Sequence, residues 1–157
     1  MAFELVVEMR SVVENLRESW QAEINSNGFV VELLPSFEAA TWQGGFLPIK
    51  LVKMPDKYLF GLPNVTQISG FEVEFGPESG HFRSATGRTI AELALQCYGA
   101  ACLAVITGGA YYDLQTGDSF EGVTAIEQAD AEILAYEPYM DDAAREQHPF
   151  TQWSDYS

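Results

Sequence analysis

From Phe71 to Phe75 the chain reads FEVEF, apolar and acidic residues in strict alternation, the period-two pattern of a strand with one dry and one wet face. Phe71, Val73 and Phe75 point inward in that reading, and Glu72 and Glu74 point to water. Phe29–Leu34 gives a second strand, stopped by Pro35. Residues 45–54 give a third, in which Pro48 requires an edge position or a bulge because it has no N–H to donate. Phe3–Met9 is rich in β-branched and apolar residues and predicts a short first strand.

Helical spacing replaces this period in three places. Val12, Val13, Leu16, Trp20 and Ile24 recur at three- and four-residue steps, with Ser11 and Glu14 as a capping box at the start and Asn27-Gly28 as the stop. An alternative runs this helix back through Met9 to Leu5, which fit the same stripe. Thr86–Thr107 is apolar on nearly every side and predicts a helix at the centre of the core, ended by Gly108-Gly109. Thr124 and Glu127 give a second capping box, opening a helix to about Ala135. Between these helices, 110–114 resembles a short strand and 115–118 a turn, while the Pro- and Gly-containing segment 55–70 predicts an irregular connection.

The predicted order is therefore β-α-β-β-β-α-β-α, an α+β fold with a single mainly antiparallel sheet and helices packed on one face. Residues 1–136 form that domain. Residues 137–157 form an acidic, aromatic tail, too rich in rings to be a purely solvated one, expected to pack on its own body or on a partner.

Charge sharpens the picture. Among 157 residues, 23 acids face 8 bases, a net charge of −15; the stretch from Asp113 to the end holds eleven of the acids and only Arg145 against them. Phosphate affinity comes from clustered Lys and Arg, so nucleic acid and anionic membrane are disfavoured as partners and a basic protein is favoured. The N-terminus lacks the basic start and unbroken apolar run of an export signal. Cys97 and Cys102 are expected on one buried helix, pointing different ways, which predicts reduced thiols and a cytoplasmic protein.

No reaction motif emerges. Asp113, Gln115 and Asp118 resemble a calcium loop only until the positions are counted: from Asp113, the fifth residue is Gly117, the sixth Asp118 and the twelfth Thr124, where calcium needs an oxygen ligand, a glycine and a glutamate. His81 and His148 lack zinc-ligand spacing, and no phosphate-cradling glycine pattern occurs, so neither a metal nor a cofactor is called for. His81, Arg83 and Arg88 make a small basic cluster near an expected helix start, a weak anion candidate.

The segment 45–51 (GFLPIKL), the alanine-rich helix running into Gly108-Gly109, and the run YYDLQTG give a layout that resembles small acidic bacterial α+β proteins, among them immunity proteins that neutralise secreted toxins. The resemblance implies a non-enzymatic inhibitor acting by binding. The face expected to bind comprises Tyr111, Tyr112, Asp113, Asp118, Tyr136, Tyr139, Asp141, Asp142 and Trp153, with aromatics as anchors and acids for steering. Of the adjacent Tyr111 and Tyr112, alternation requires one to face inward and the other outward. The alternative is a small-ligand binder or hydrolase-type enzyme with a cleft between the sheet and segment 55–70, using His81, Arg83 and Asp113. A homodimer through an exposed sheet edge is also compatible with the pattern.

Overall fold

The computed structural model describes residues 3–84 and 88–156. Strands β1 (Phe3–Glu8), β2 (Val30–Leu33), β3 (Phe46–Lys53), β4 (Gln67–Phe75), β5 (Ser79–Ser84), β6 (Ala110–Asp113) and β7 (Ser119–Glu121) form one antiparallel sheet in the order β2-β3-β4-β5-β1-β6-β7. Helix α2 (Ile90–Ile106) lies against β1, β4, β5 and β6, flanked by α1 (Leu16–Asn25) and α3 (Val123–Leu134); a short α4 (Trp153–Tyr156) ends the described chain. The fold class and the order of the expected elements hold. The structure adds β5, whose SGHFRS offers only one large apolar residue, and the three-residue β7.

Helix α2 has the apolar perimeter that its sequence demands. Fourteen of its seventeen residues are buried, Cys97 and Cys102 among them. Its start is fixed by a reciprocal cap: Glu92 N donates to Thr89 Oγ1 and Thr89 N donates to Glu92 Oε1, each at 3.1 Å. Thr86, the expected first residue, lies outside the described residues. Where Gly99 meets the sheet, a Cβ would sit 2.7 Å from the Phe71 ring, so the glycine sets the spacing between helix and sheet.

Helix α1 begins later than its stripe predicts. Asn15 takes a left-handed conformation (φ 53°), which breaks the helical run before Leu16, and neither expected capping box supplies a side-chain cap at α1 or α3. Arg17 explains the choice of register: its guanidinium donates to the carbonyls of Leu33 and Leu34 at 2.6 and 3.0 Å, pinning the first turn to the end of β2. Val12, expected on the apolar stripe, is left 97% exposed.

Pro48 does not mark an edge, since β3 pairs with both β2 and β4. Its carbonyl accepts from Leu34 N at 3.0 Å, so its donor-free nitrogen faces the side on which β2 has already ended. Opposite it, Gly70 has φ 146°, and a Cβ there would lie 2.0 Å from the Leu47 carbonyl oxygen. Segment 55–70 is not wholly irregular, because β4 starts at Gln67.

The tail packs on its own domain. After α3 it passes the start of α2, where Ile90 N donates to Ala144 O at 2.8 Å and His148 Nε2 lies 3.2 Å from Glu92 Oε1. It then runs along β4, where Ile68 N donates to Phe150 O at 2.7 Å, and reaches the helix-free face, where Lys50 Nζ donates to Gln152 Oε1 at 2.9 Å.

Candidate functional site

Strand alternation sorts the expected site residues onto opposite sides of the sheet. Tyr111 turns inward and is fully buried, its hydroxyl donating to Glu132 on α3 and its ring edge-on to Phe120 at 6.2 Å. Tyr112, opposite Val6, turns to the helix-free face, where its hydroxyl donates to Glu8 Oε2 at 3.4 Å. Asp113 is only 4% exposed. Its Oδ1 accepts from Gln115 N at 2.8 Å, its carbonyl accepts from Gly117 N at 2.8 Å, and its own N–H donates to Asp118 O at 3.0 Å. Tyr111 and Asp113 therefore leave the expected binding face: one is core, and the other closes the β6–β7 turn from inside.

Beneath that turn lies a pair of acids that the sequence pattern did not isolate. The Asp113 side chain hydrogen-bonds Glu132, whose carboxyl is pushed up to about 8 by burial first and by this neighbouring acid second. Glu132 therefore keeps its proton at neutral pH. Burial also raises Tyr111 and Cys97, the latter with its Sγ 4.0 Å from Glu132 Oε2. A signal was present: Ala125, Ala129 and Ile133 form the buried stripe of α3, and Glu132 lies three residues after Ala129 on that stripe.

Asp130 is also engaged internally. It accepts from Tyr58 Oη at 2.5 Å and from Lys57 Nζ at 2.7 Å, and Tyr58 Oη lies 2.6 Å from Tyr98 Oη. Of the eleven acids in the last third, those that remain exposed are Asp118, Glu121, Glu127, Glu137, Asp141, Asp142, Glu146 and Asp155.

Three of these flank Tyr139 in the sequence. Tyr139 is 74% exposed, in a one-turn 3-10 helix (Glu137–Tyr139) that directly follows α3. Glu137, Asp141 and Asp142 are exposed beside it, and Leu134, at the end of α3, is an exposed apolar neighbour. The Tyr136 ring lies tilted at 6.4 Å from that of Tyr139, and its other partner is Arg88, 5.0 Å above its ring. Asp141 Oδ1 accepts from Ala144 N at 2.9 Å, which holds the acidic segment in a fixed turn. Trp153 does not join this face. The tail carries it to β2, where its indole N–H donates to Glu32 and its ring is half-buried.

The alternative constellation does not assemble. His81 and Arg83 pair with Val6 and Glu4 and share the helix-free face, with His81 Nε2 3.0 Å from Glu4 Oε1, whereas Asp113 pairs with Leu5 on the helix-covered face. The sheet itself separates them. A void lined by Leu51, Leu59, Leu62, Gln67 and Ile90, beneath segment 55–70, measures about 10 Å³, room for no more than a water.

Compared with protein families, with curated proteins and with solved structures, the chain matches none. Among the described residues, no helix is long and apolar enough to cross a membrane.

Proposed function

We propose that the protein is a non-enzymatic binding module that captures a basic protein partner on the segment Leu134–Asp142, in the manner of an immunity or inhibitor protein. One observation carries the reading: the Tyr139 ring is 74% exposed in a segment whose Glu137, Asp141 and Asp142 are exposed as well, none of the three acids having a cationic partner among the described residues. A rigid, amphipathic ring is the side chain that most often dominates binding energy, and a surrounding acid rim accelerates encounter with a cationic surface. Capture of this kind blocks a partner sterically and asks for no catalytic group.

The test is capture of binding proteins from the source cell by the intact chain, by Tyr139→Ala and by Asp141→Asn/Asp142→Asn. A basic partner is expected that binds Tyr139→Ala at least tenfold more weakly. The double Asn variant is expected to associate more slowly, with the difference disappearing at high salt. A partner retained undiminished by both variants defeats the reading.

A further inference from the structure

At the far end of α2 from Tyr139 lies an open cleft of about 770 Å³, a size typical of ligand- and peptide-binding sites. The helix between them has seventeen residues, which separates the two places by about 25 Å. The cleft is enclosed by the β1–α1 connection, the first turn of α1, the chain after β2 and the β4–β5 turn. Its floor is aromatic: Phe37 and Phe75 lie 6.1 Å apart, and both pack on Trp20, at 5.9 and 6.2 Å. Trp20 is in turn tied to α2, its Nε1 donating to Gly99 O at 2.8 Å. The floor is therefore braced from behind and keeps its shape without an occupant.

Two features of the rim define what fits. Val12 stands 97% exposed at the mouth, an apolar side chain that gains by being covered. The charge around it is negative, because the cleft's two cations are already engaged. Arg10 pairs with Glu8 and Glu121, while Arg17 donates to the Leu33 and Leu34 carbonyls and has Glu18 at 4.0 Å. Glu38 and Glu78 line the cleft, exposed and without an ion pair among the described residues.

We propose that this cleft receives a protruding segment of a basic protein partner, an apolar side chain seated on the half-buried Phe75 beside Val12, above the nearly buried Phe37, with an adjacent lysine or arginine meeting Glu38 and Glu78. Phe75 and Val12 supply the apolar contact that holds the segment, Phe37 supports Phe75 from beneath, and the two glutamates select its charge. This docking site stands apart from the Tyr139 segment and holds whether or not that segment binds.

The probe is a bead-displayed library of short random peptides, panned against the intact protein and against the triple variant Val12→Ser/Glu38→Lys/Glu78→Lys. All three positions are exposed, so the variant retains the fold, checked by the near-ultraviolet signal of Trp20. Enriched peptides are expected to carry an apolar residue flanked by Lys or Arg. They are expected to bind the triple variant at least tenfold more weakly and to bind Tyr139→Ala unchanged. Failure to enrich any peptide, enrichment of peptides without basic residues, or equal binding to the triple variant would each overturn the proposal. Loss on Tyr139→Ala with retention by the triple variant would place peptide capture on the other face and overturn it too.

Discussion

The indole N–H of Trp20 donates to the carbonyl of Gly99 at 2.8 Å, joining α1 to the middle of α2 inside the core. The same glycine faces the Phe71 ring, so helix–helix and helix–sheet packing meet at one residue. Gly99→Ala gains about 1 kcal/mol of helix propensity, but its methyl meets the Phe71 ring at 2.7 Å, and overpacking costs about 1–3 kcal/mol. The expected net result is destabilisation, read as a lower urea midpoint. Adding Phe71→Leu should recover part of the loss, and simple additivity in the double-mutant cycle would contradict the contact.

Glu132 makes stability depend on pH in a defined direction. Its ordinary pKa of 4.5 rises to about 8 in the folded protein, so between these values the native chain keeps a proton that the unfolded chain has released. That contribution is fully present below pH 4.5, declines as pH rises and is gone above pH 8. The slope is at most about 1.4 kcal/mol per pH unit. Urea midpoints measured across this range should fall with pH in the wild type. Glu132→Gln, which keeps an acceptor for Tyr111 and cannot ionise, should flatten the fall and exceed the wild type in stability above pH 8.

Removing residues 147–157 deletes the Phe150 carbonyl that accepts the Ile68 amide at 2.7 Å, and with it the cover over that part of β4. Amide exchange at Ile68 is expected to accelerate at least tenfold, while Val73, bonded to Gly45 O at 3.0 Å, keeps its protection. The global loss should be at least about 2 kcal/mol, because the deletion exposes part of a buried isoleucine and also removes the contacts of His148 with Glu92, Gln152 with Lys50 and Trp153 with Glu32. Unchanged exchange at Ile68 would show that the strap does not hold in solution.

Gly70→Ala is expected to be among the most damaging single changes. The methyl would meet the Leu47 carbonyl oxygen at 2.0 Å, at a φ of 146° that side chains rarely adopt. A loss above about 4 kcal/mol follows, a large share of the roughly 5–15 kcal/mol that holds an ordinary domain folded, read as a sharply lower urea midpoint by circular dichroism. Gly61→Ala also sits at positive φ but meets no atom within 4 Å, so it serves as the mild control.

Local pattern carried far where each element answers to its own period. β4 alternates as FEVEF demands, and α2 is buried on nearly every side as its composition requires. It failed where a distant contact decides. Arg17 reaching the end of β2 moves the start of α1, which no window over 11–24 can register. β5 exists because β1 and β4 leave a slot between them, not because SGHFRS has strong strand character. At the candidate site the acidity of the last third was legible, but its division was not. Asp113, Asp130 and Glu132 turn inward because tyrosine hydroxyls, a lysine and one another receive them, leaving Tyr139 and its neighbours as the exposed remainder.

The position of β1 governs how the chain must be made. Its residues 3–8 are made well before both of its partners, β5 at residues 79–84 and β6 at residues 110–113. The strand therefore cannot be paired on both sides co-translationally until residues 110–113 have emerged. Until then an apolar strand waits in the nascent chain, and its acids Glu4 and Glu8 keep it from pairing with another copy.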